Sequence, residues 1–484
     1  MQRTNRHSSR GPRFNWLRRF ARALCSTWDR IRSVLSAISI RSHWRTLSPA
    51  HRLFLSNVGI AVLITVVVAL FRESHWLLRL ENSAMDTMME FNKGLPRTSN
   101  SAAADALRFT FLDIDEASYR NWGEPFHVPR DKILRLIDFA AEANARLIIL
   151  DIDLSREGVD EDQDRNLATY LSRYGENSSP APLILVRAFQ RGDVSGRQWL
   201  DIRPSFLDEF ELPAAIHWAQ PLFRTTMWDG VIRHWHLVKF GCLSGRLVLV
   251  PATQLIAAAL LADGDVSSVR RTVNLDSVRM ASCASSEGIG NAAAGAGVPD
   301  DAYSPEADLS QRLIFTIPWH SPAPDLITVP AHLVTESNRD LSGDVVTNRV
   351  VIIGASFAES RDIYRTPIGE MPGALIIVNA VKSLSVYGQI APPAVLTQWT
   401  VKLSLILLAA WAFSRFTSLV AITVAGVIII VALVPVSFYF LKYGLWIDFA
   451  IPLFAMVIHQ TVAEYRSSQI DPLTIAGQRR KNSN

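Results

Sequence analysis

The 484-residue sequence has little of several features that define common protein classes. It contains only 3 cysteines, which excludes a disulfide-stapled scaffold, and its 24 glycines and 24 prolines exclude collagen-like and low-complexity chains. Charged residues make up 19% of the chain, below the roughly 25% that is usual for soluble domains. Hydrophobic residues make up 49%, which excludes a mainly disordered chain. Globular and membrane-bound classes remain.

Positive charge is concentrated at the N-terminal end. Residues 1–52 contain twelve arginines, no lysine and one acidic residue, whereas the whole chain has a net charge of only +4. Because this charge lies in a terminal segment and is not spread over a folded face, we expect no nucleic-acid binding. We interpret residues 1–52 as an Arg-rich cytoplasmic segment that contacts anionic membrane lipids.

Long apolar runs predict four membrane-spanning helices, one before and three after a large central region. Residues 53–71 contain no charge and are long enough to cross a bilayer core of about 30 Å. A cleaved signal peptide is the competing interpretation, but both the run and the segment before it are too long for one. Residues 396–463 divide into three spans at the short breaks 414–416 and 442–444. Only two spans follow the central region if the segment around Lys402 does not insert into the membrane.

The distribution of charge predicts the orientation of these spans. The Arg-rich segment and a short tail, residues 464–484, fit the cytoplasmic side of a bacterial inner membrane, so both termini are cytoplasmic. Residues 72–395, with a net charge of −11, then form a periplasmic domain. Cys242 and Cys283 would face this oxidising side, either as a disulfide or as two free thiols.

Strands and helices alternate in the central region. Apolar runs predict strands, and apolar residues at helical spacing predict helices. The predicted strands are 108–114, 147–152, 183–186, 246–250, 313–317 and 349–353, and the predicted helices are 131–144, 252–262 and one after Gly373. The first strand, helix and second strand form a βαβ unit whose strands should pair in parallel. The fold class is therefore α/β with a largely parallel sheet. Residues 282–308 are of low complexity and predict a flexible insertion.

Two Asp-x-Asp pairs follow the first two predicted strands. They are Asp113 with Asp115, and Asp151 with Asp153. The carboxyl ends of parallel strands meet at one edge of a sheet, where open α/β folds bind ligands. We expect at most one aspartate of each pair to face a given site, unless the chain has already turned. Capping of the following helix and ligand binding are both open interpretations, and a hydrolase that uses the Asp-x-Asp carboxylates is a further alternative.

Motifs that carry catalysis or bind cofactors are missing from the sequence. Gly354 follows a predicted strand, but no G-x-G-x-x-G or G-x-x-x-x-G-K-[ST] pattern surrounds it. There is also no G-x-S-x-G, H-E-x-x-H or C-x-x-C motif, and His234 with His236 lacks a third metal ligand. We therefore predict that the protein is not an enzyme, and we name no catalytic residue, metal or cofactor.

Several short segments, in order along residues 74–463, resemble the CHASE2 family of extracytoplasmic sensor domains in bacterial transmembrane receptors. The segments that carry the resemblance are 113–118, Gly123, 129–131, 151–155, 164–168, 229–233, 351–356, Asp362, 366–367, 371–373 and 379–380. The sequence departs from the family pattern at residues 124–128, which replace a Trp-Pro-Trp, and at Ile377, which replaces a histidine. The insertion 282–308 is also unusual for the family.

The resemblance implies a sensor that binds an unknown extracytoplasmic small molecule or partner and signals across the membrane. Family members usually continue into a kinase or cyclase domain, but only about twenty residues follow the last predicted span here, too few for a folded output domain. We therefore expect no fused output domain and a separate cytoplasmic output protein, such as a kinase, a cyclase or another effector. Family analogy also favours a homodimer. An interaction scaffold without ligand sensing is the alternative. The ligand-binding candidates are Asp113, Asp115, Ser118, Asp151, Asp153, Ser155, Gly354, Ser356, Asp362 and Thr366.

Overall fold

A computed structural model describes most of the chain. The described residues are 47–71, 74–93, 107–176, 180–187, 189–191, 200–243, 246–266, 269, 309–336, 343–416, 418–441, 444–446, 454–455 and 457–462. The chain divides into two compact units, one of residues 1–85 and 392–484 and the other of residues 86–391. The predicted insertion 282–308 and tail 464–484 lie outside the described residues, as do most of the Arg-rich segment and Cys283.

Helices and strands follow one another along the chain as the alternating pattern predicts. The helices are α1 (Pro49–Leu70), α2 (His75–Asn92), α3 (Glu116–Asn121), α4 (Arg130–Glu142), α5 (Glu161–Ser172), α6 (Thr253–Asp263), α7 (Ala331–Glu336), α8 (Gly373–Tyr387), α9 (Val395–Arg415), α10 (Ser418–Ile428) and α11 (Val434–Leu441). The strands are β1 (Phe109–Ile114), β2 (Leu147–Leu150), β3 (Leu183–Val186), β4 (Phe189–Arg191), β5 (Leu200–Ile202), β6 (Ile216–Ala219), β7 (Phe223–Thr225), β8 (Ile232–Trp235), β9 (Val238–Leu243), β10 (Arg246–Pro251), β11 (Leu326–Pro330), β12 (Val350–Ala355), β13 (Ile363–Thr366) and β14 (Gly369–Pro372).

In the unit formed by residues 1–85 and 392–484, the described residues include three helical segments that are long and apolar enough to cross a membrane. They are His51–Val68, Val395–Arg415 and Thr423–Leu441, which correspond to the first three predicted spans. The fourth predicted span, at the end of residues 396–463, falls mostly outside the described residues. One wide turn, Ile429–Leu433, separates α10 from α11 just before Pro435. Proline lacks a backbone N–H and clashes with the carbonyl four residues earlier, so the helix widens where the regular hydrogen bond is lost.

A six-stranded sheet in the order β11-β1-β12-β2-β3-β6 forms the centre of the other unit, and all its pairings are parallel. The α/β class with a largely parallel sheet is therefore confirmed. The prediction that β1 and β2 pair with each other is wrong, because β12 lies between them and pairs with both. All residues of β1 and β2 are buried. A continuously apolar strand indicates a central position but does not reveal which distant strand is its neighbour.

Helices cover both faces of this sheet. On one face, Leu112, Leu150 and Ile353 belong to a core that also includes buried residues of α4, α5 and α7. On the other face, α8 packs against β12 and β1, and α6 packs against β2, β3 and β6. Successive strand residues point to opposite faces, so Asp113, two residues after Phe111, belongs to the face that α8 covers.

Smaller elements complete this unit. A second sheet has the order β10-β9-β5-β4, and β7-β8 and β13-β14 form two-stranded ribbons. The predicted strand 313–317 is wrong, because these residues join no sheet. The backbone N–H of Leu313 donates to the carbonyl of Arg233 on β8. Three later N–H groups donate instead to side chains of α8: Ile314 to Ser383, and Thr316 and Ile317 to Asn379. Side-chain acceptors on a helix thus replace a neighbouring strand.

Candidate ligand site at the carboxyl edge of the sheet

The first two strands of the sequence bring Asp113 and Asp151 to either side of Gly354. Asp113 pairs with Gly354, and the Asp151 backbone N–H donates to the carbonyl of Ile353 at 2.8 Å. A side-chain Cβ at Gly354 would lie 2.6 Å from the Cβ of Ala374 in the first turn of α8 and 3.6 Å from that of Asp151. Glycine is therefore required by the close approach of α8, and the two carboxylates flank the start of this helix.

Asp113 is the most enclosed carboxylate of this edge. Only 5% of its surface is exposed, and its Oδ1 atom has no hydrogen-bond partner. Burial raises the pKa of Asp113 to about 7, a hydrogen bond from the Ser356 side chain opposes the rise, and the nearby charge of Asp115 adds to it. An acceptor that is removed from water and left without a donor is costly, so this side chain is poised to accept a donor.

Asp151 and Asp362 form the other half of the cluster. Burial raises the pKa of Asp151 well above its ordinary value, and the neighbouring charge of Asp362 raises it further. Burial also raises the pKa of Asp362 to about 6, against hydrogen bonds from Tyr364 and from the backbone N–H of Gly373 at 3.2 Å. Within the described ranges no lysine, arginine or histidine forms an ion pair with Asp113, Asp151 or Asp362. No basic group among the described residues therefore compensates these three carboxyl groups, and burial shifts them toward the neutral acid.

Asp115 has a different role, since it caps a helix. Its Oδ1 accepts hydrogen bonds from the backbone N–H of Ser118 at 2.8 Å and from the Ser118 hydroxyl at 2.7 Å, at the start of α3. His332 Nδ1 lies 3.0 Å from the same hydroxyl oxygen and 3.9 Å from Asp115 Oδ1. The three residue types are those of a serine hydrolase, but Ser118 is fully buried and its proton is engaged by Asp115. This arrangement ties α3 to α7 and presents no nucleophile.

The remaining predicted site residues lie away from the cluster. Asp153 accepts from the backbone N–H of Ser155 at 2.8 Å and pairs with Arg203 at 3.2 Å in the loop after β2. The Thr366 hydroxyl donates to the carbonyl of Gly369 and closes the ribbon of β13 and β14. The structure therefore brings together the following candidates: Asp113, Asp151, Gly354, Ser356 and Asp362. The two Asp-x-Asp pairs are split because the chain has left the strand before the second aspartate of each pair: Asp115 caps α3 and Asp153 lies in the loop after β2. Strand alternation alone would have kept both aspartates of a pair on one face.

A metal centre has no support in the described part of the chain. Nowhere in those residues do three or more His, Cys, Asp or Glu side chains lie where they could hold an ion. His234 lies on β8 and is buried, and its neighbour His236 follows the end of that strand. The carboxyl-edge cluster thus offers acceptor oxygens without the convergence that a divalent cation requires.

Comparison with known protein families identifies the domain. The CHASE2 domain profile matches residues 61–417, well over half of the chain. The protein belongs to the CHASE2 family. The match begins within α1 and ends just after α9. Compared with residues 74–463, over which the sequence resembles the family, the match begins 13 residues earlier and ends before the last two predicted spans. CHASE2 is an extracytoplasmic sensor domain. Neither the curated proteins nor the solved structures contain a significant match.

A second polar cluster of the CHASE2 unit was missed in part by sequence reasoning. Asp86 on α2 accepts from Arg233 at 2.7 Å and from Arg312 at 2.8 Å, and Arg233 also pairs with Asp229 at 2.7 Å. Both arginine side chains are buried. Burial opposes ionisation of Asp229, but the bonds from Arg233 lower its pKa overall. The family pattern at 229–233 pointed to Asp229 and Arg233, whereas no local signal marked Asp86 or Arg312.

Tyr364 is a further residue that the sequence did not single out. Burial raises its pKa to about 12, and the charge of Asp362, to which its hydroxyl donates, adds to the rise. A tyrosine in an exposed ribbon gives no pattern by itself. Only the position of Asp362 beside Asp151 shows that this hydroxyl borders the cluster.

Proposed function

We propose that this protein is a transmembrane sensor whose CHASE2 domain binds an extracytoplasmic ligand at the carboxyl edge of its sheet. The domain passes the resulting change through the membrane helices to a separate cytoplasmic output protein, such as a kinase, a cyclase or another effector. One observation carries the location of the site: Asp113 is buried, its Oδ1 lacks a donor, and two further carboxylates lie across Gly354 from it. Membership of a sensor family supports the role.

The chain itself supplies a route for the signal. The first candidate span lies in α1, and the chain then continues into α2, whose Asp86 is bound by two buried arginines of the sensor unit. A ligand changes such a system only if it binds one arrangement more tightly than another. A change in the sensor unit that alters this ion-paired cluster would therefore bias the position of α2.

The proposal places the CHASE2 domain in the periplasm of a bacterial cell and both termini in the cytoplasm. Charge supports this orientation, because residues 1–52 carry twelve arginines and would contact anionic inner-leaflet lipids. Association as a homodimer is part of the proposal by family analogy alone.

Topology is tested with a single cysteine at Met227, whose surface is 100% exposed. Cys25, Cys242 and Cys283 are replaced by serine, and Met227→Cys is labelled in cells whose outer membrane alone is permeable. Labelling by a membrane-impermeant maleimide before lysis is expected. Labelling only after lysis would place this unit in the cytoplasm and contradict the sensor proposal.

Ligand binding is tested on the full-length protein in detergent micelles, by thermal unfolding against a broad panel of metabolites. At least one compound should raise the melting temperature of the wild type and have no effect on Asp113→Asn. If no compound stabilises the protein, the scaffold alternative is favoured. We favour the sensor over the hydrolase alternative, because Asp115 serves as a helix cap while Asp113 faces α8.

A further inference from the structure

Three arginines lie side by side at the amino edge of the six-stranded sheet, where its strands begin. Arg108, Arg349 and Arg146, here called the arginine row, come immediately before the adjacent strands β1, β12 and β2. The backbone N–H of Val350 donates to the carbonyl of Arg108 at 2.9 Å, and that of Arg146 donates to the carbonyl of Arg349 at 2.8 Å. Neighbouring strands lie about 4.8 Å apart, so the backbones of the row span about 10 Å. Like charges at such positions are unfavourable unless something compensates them.

Arg349 is the exception among the buried arginines that the structure describes. Each of the other four forms an ion pair with an aspartate: Arg130 with Asp164, Arg187 with Asp208, and Arg233 and Arg312 with Asp86. Arg349 is only 7% exposed, yet its guanidinium pairs with no described carboxylate and donates instead to the carbonyl of Phe109 and the hydroxyl of Thr110. Buried charges in proteins are normally paired, so Arg349 lacks the anion that its counterparts have.

The guanidinium of Arg349 keeps donors in reserve. Its Nε and Nη2 atoms make the bonds to Phe109 and Thr110, but Nη1 donates to no described residue. Burial lowers the pKa of Arg349, and the charge of Arg108 lowers it further, against the opposing charge of Asp325. A guanidinium still remains charged at neutral pH, so this group cannot avoid the cost of burial by losing its proton. Only an anion can compensate it.

The two outer arginines of the row supply further donors and access from solvent. Arg108 and Arg146 are exposed, and the side chain of Arg108 makes no hydrogen bond or ion pair with a described residue. Arg146 donates through Nη2 to the carbonyl of Leu261 at 3.1 Å. Asp325 comes before β11 and lies next to Arg108, but its carboxylate pairs with Lys382 at 2.5 Å. An anion therefore meets exposed guanidinium groups at the surface and needs no cavity to reach them.

We infer that this edge of the sheet binds a phosphate group, held by Arg349 and Arg108 with Arg146 at its border. The site is separate from the carboxyl-edge cluster and does not rest on the proposed function. A phosphate monoester carries a charge of about −1.5 to −2 and three acceptor oxygens, and guanidinium groups bind it through paired N–H···O bonds. Several guanidinium groups therefore match one phosphate, whereas one guanidinium satisfies both oxygens of a carboxylate. The phosphate belongs to a soluble monoester or to a lipid headgroup.

The test measures binding to the full-length protein in micelles of an uncharged detergent, by isothermal titration calorimetry. Glycerol 1-phosphate is the soluble probe, glycerate is its carboxylate analogue, and glycerol is the uncharged control. We expect glycerol 1-phosphate to bind more tightly than glycerate, and glycerol not to bind. Arg108→Gln should weaken phosphate binding about tenfold, because a charge-assisted contact is lost, and the double variant Arg108→Gln with Arg146→Gln should weaken it further. Arg349 is left intact, since its replacement would also break the bonds to Phe109 and Thr110.

Arg165→Gln is the matched control. It removes an arginine of α5 that lies outside the arginine row and whose side chain is 66% exposed, so binding should not change. The control is needed because the twelve arginines of residues 1–52 also attract phosphate, and only dependence on Arg108 separates the two places. As a second readout, glycerol 1-phosphate should raise the melting temperature of the wild type and of Arg165→Gln, but not that of the double variant.

A lipid arm identifies the source of the phosphate. Dioctanoyl phosphatidic acid carries the same glycerol phosphate, and dioctanoyl phosphatidylcholine is its zwitterionic control. Tighter binding of phosphatidic acid than of glycerol 1-phosphate, lost in Arg108→Gln, assigns the site to a lipid headgroup. Equal affinities assign it to a soluble monoester.

Three results would overturn the inference: neither phosphate compound binds, glycerate binds as tightly as glycerol 1-phosphate, or the double variant binds phosphate as well as the wild type. None of these results bears on the proposed function, because the carboxyl-edge cluster lies at the opposite end of the strands and has its own test.

Discussion

The CHASE2 unit contains two clusters of buried charged groups that are built in opposite ways. Around Asp86, two arginines and two aspartates alternate, and each aspartate is bonded to an arginine at 2.7 or 2.8 Å. At the carboxyl edge, Asp113, Asp151 and Asp362 meet without a basic partner in the described residues. In the first cluster every charged group has an oppositely charged partner. In the second, the carboxyl groups have no basic partner among the described residues, and burial favours their neutral form.

The difference separates a structural role from a binding role. A buried ion pair holds two elements in one geometry, and removal of one partner leaves an uncompensated charge. A buried carboxylate without a donor costs stability that the fold must supply elsewhere, and such groups concentrate at functional sites. The same substitution, aspartate to asparagine, should therefore have opposite effects in the two clusters.

The largest effect is expected for Asp86→Asn. This change removes the negative charge from between two buried arginines, and we expect the free energy of unfolding to fall by about 3 kcal/mol. The value lies at the low end of the usual range because Asp229 still pairs with Arg233. Chemical unfolding of the full-length protein in detergent measures it, with Asp162→Asn as the surface control. A change below that of the control would show that the Asp86 cluster is not structural.

The opposite sign is expected for Asp113→Asn. At about pH 8 the wild type holds a buried carboxylate whose pKa is raised from 3.8 to about 7, a penalty on the order of 4 kcal/mol. Asparagine carries no charge and avoids this penalty, but its buried amide is itself imperfectly hydrogen-bonded, which offsets part of the gain in stability. We therefore expect the variant to be more stable than the wild type by about 2 kcal/mol. A destabilised variant at this pH would mean that Asp113 has a hidden cationic partner.

The pH dependence of stability sharpens the same comparison. The folded-state pKa of Asp113 lies above the unfolded value, so the folded protein holds the proton of this carboxyl group more tightly than the unfolded chain does. The stability that this proton gives is complete below about pH 4 and is lost as the pH rises through 7. The advantage of Asp113→Asn should therefore shrink as the pH falls from 8 to 5. Melting temperatures of both proteins across this range give the measurement. A constant difference would contradict the raised pKa.

A smaller effect is expected from packing at the edge. In Gly354→Ala the new Cβ lies 2.6 Å from that of Ala374, so α8 must shift from the sheet at a cost of about 1–2 kcal/mol, with loss of ligand binding. The double variant Gly354→Ala with Ala374→Gly restores the space and should recover part of both losses. If the double variant is no better than the single one, the close approach of α8 is not the cause.

The smallest effect is expected at the exposed pair of Asp153 with Arg203. Its atoms are 3.2 Å apart, but both side chains keep substantial exposure, so Arg203→Ala should change stability by less than about 1 kcal/mol. Ligand binding should not change, because this pair lies in the loop after β2 and outside the carboxyl-edge cluster. A loss of binding in this variant would extend the site to Asp153 and Ser155.

Local patterns in the sequence were sufficient for several parts of this molecule. Apolar runs and helical spacing located β1, α4, α8 and the first three candidate spans, since hydrophobic period and length are properties of neighbouring residues. The ordered set of short segments was sufficient for the family, which the match over residues 61–417 confirms.

Tertiary structure decided which distant residues meet. The insertion of β12 between β1 and β2, the extended segment held by Asn379, and the contact of Asp86 with Arg233 and Arg312 join residues far apart in the chain. The sequence by itself determined that acidic side chains would lie at strand ends, because composition and period are local. Only the fold decided that Asp113, Asp151 and Asp362 would lie together without a basic partner among the described residues, because burial and pairing depend on the packing of the whole unit.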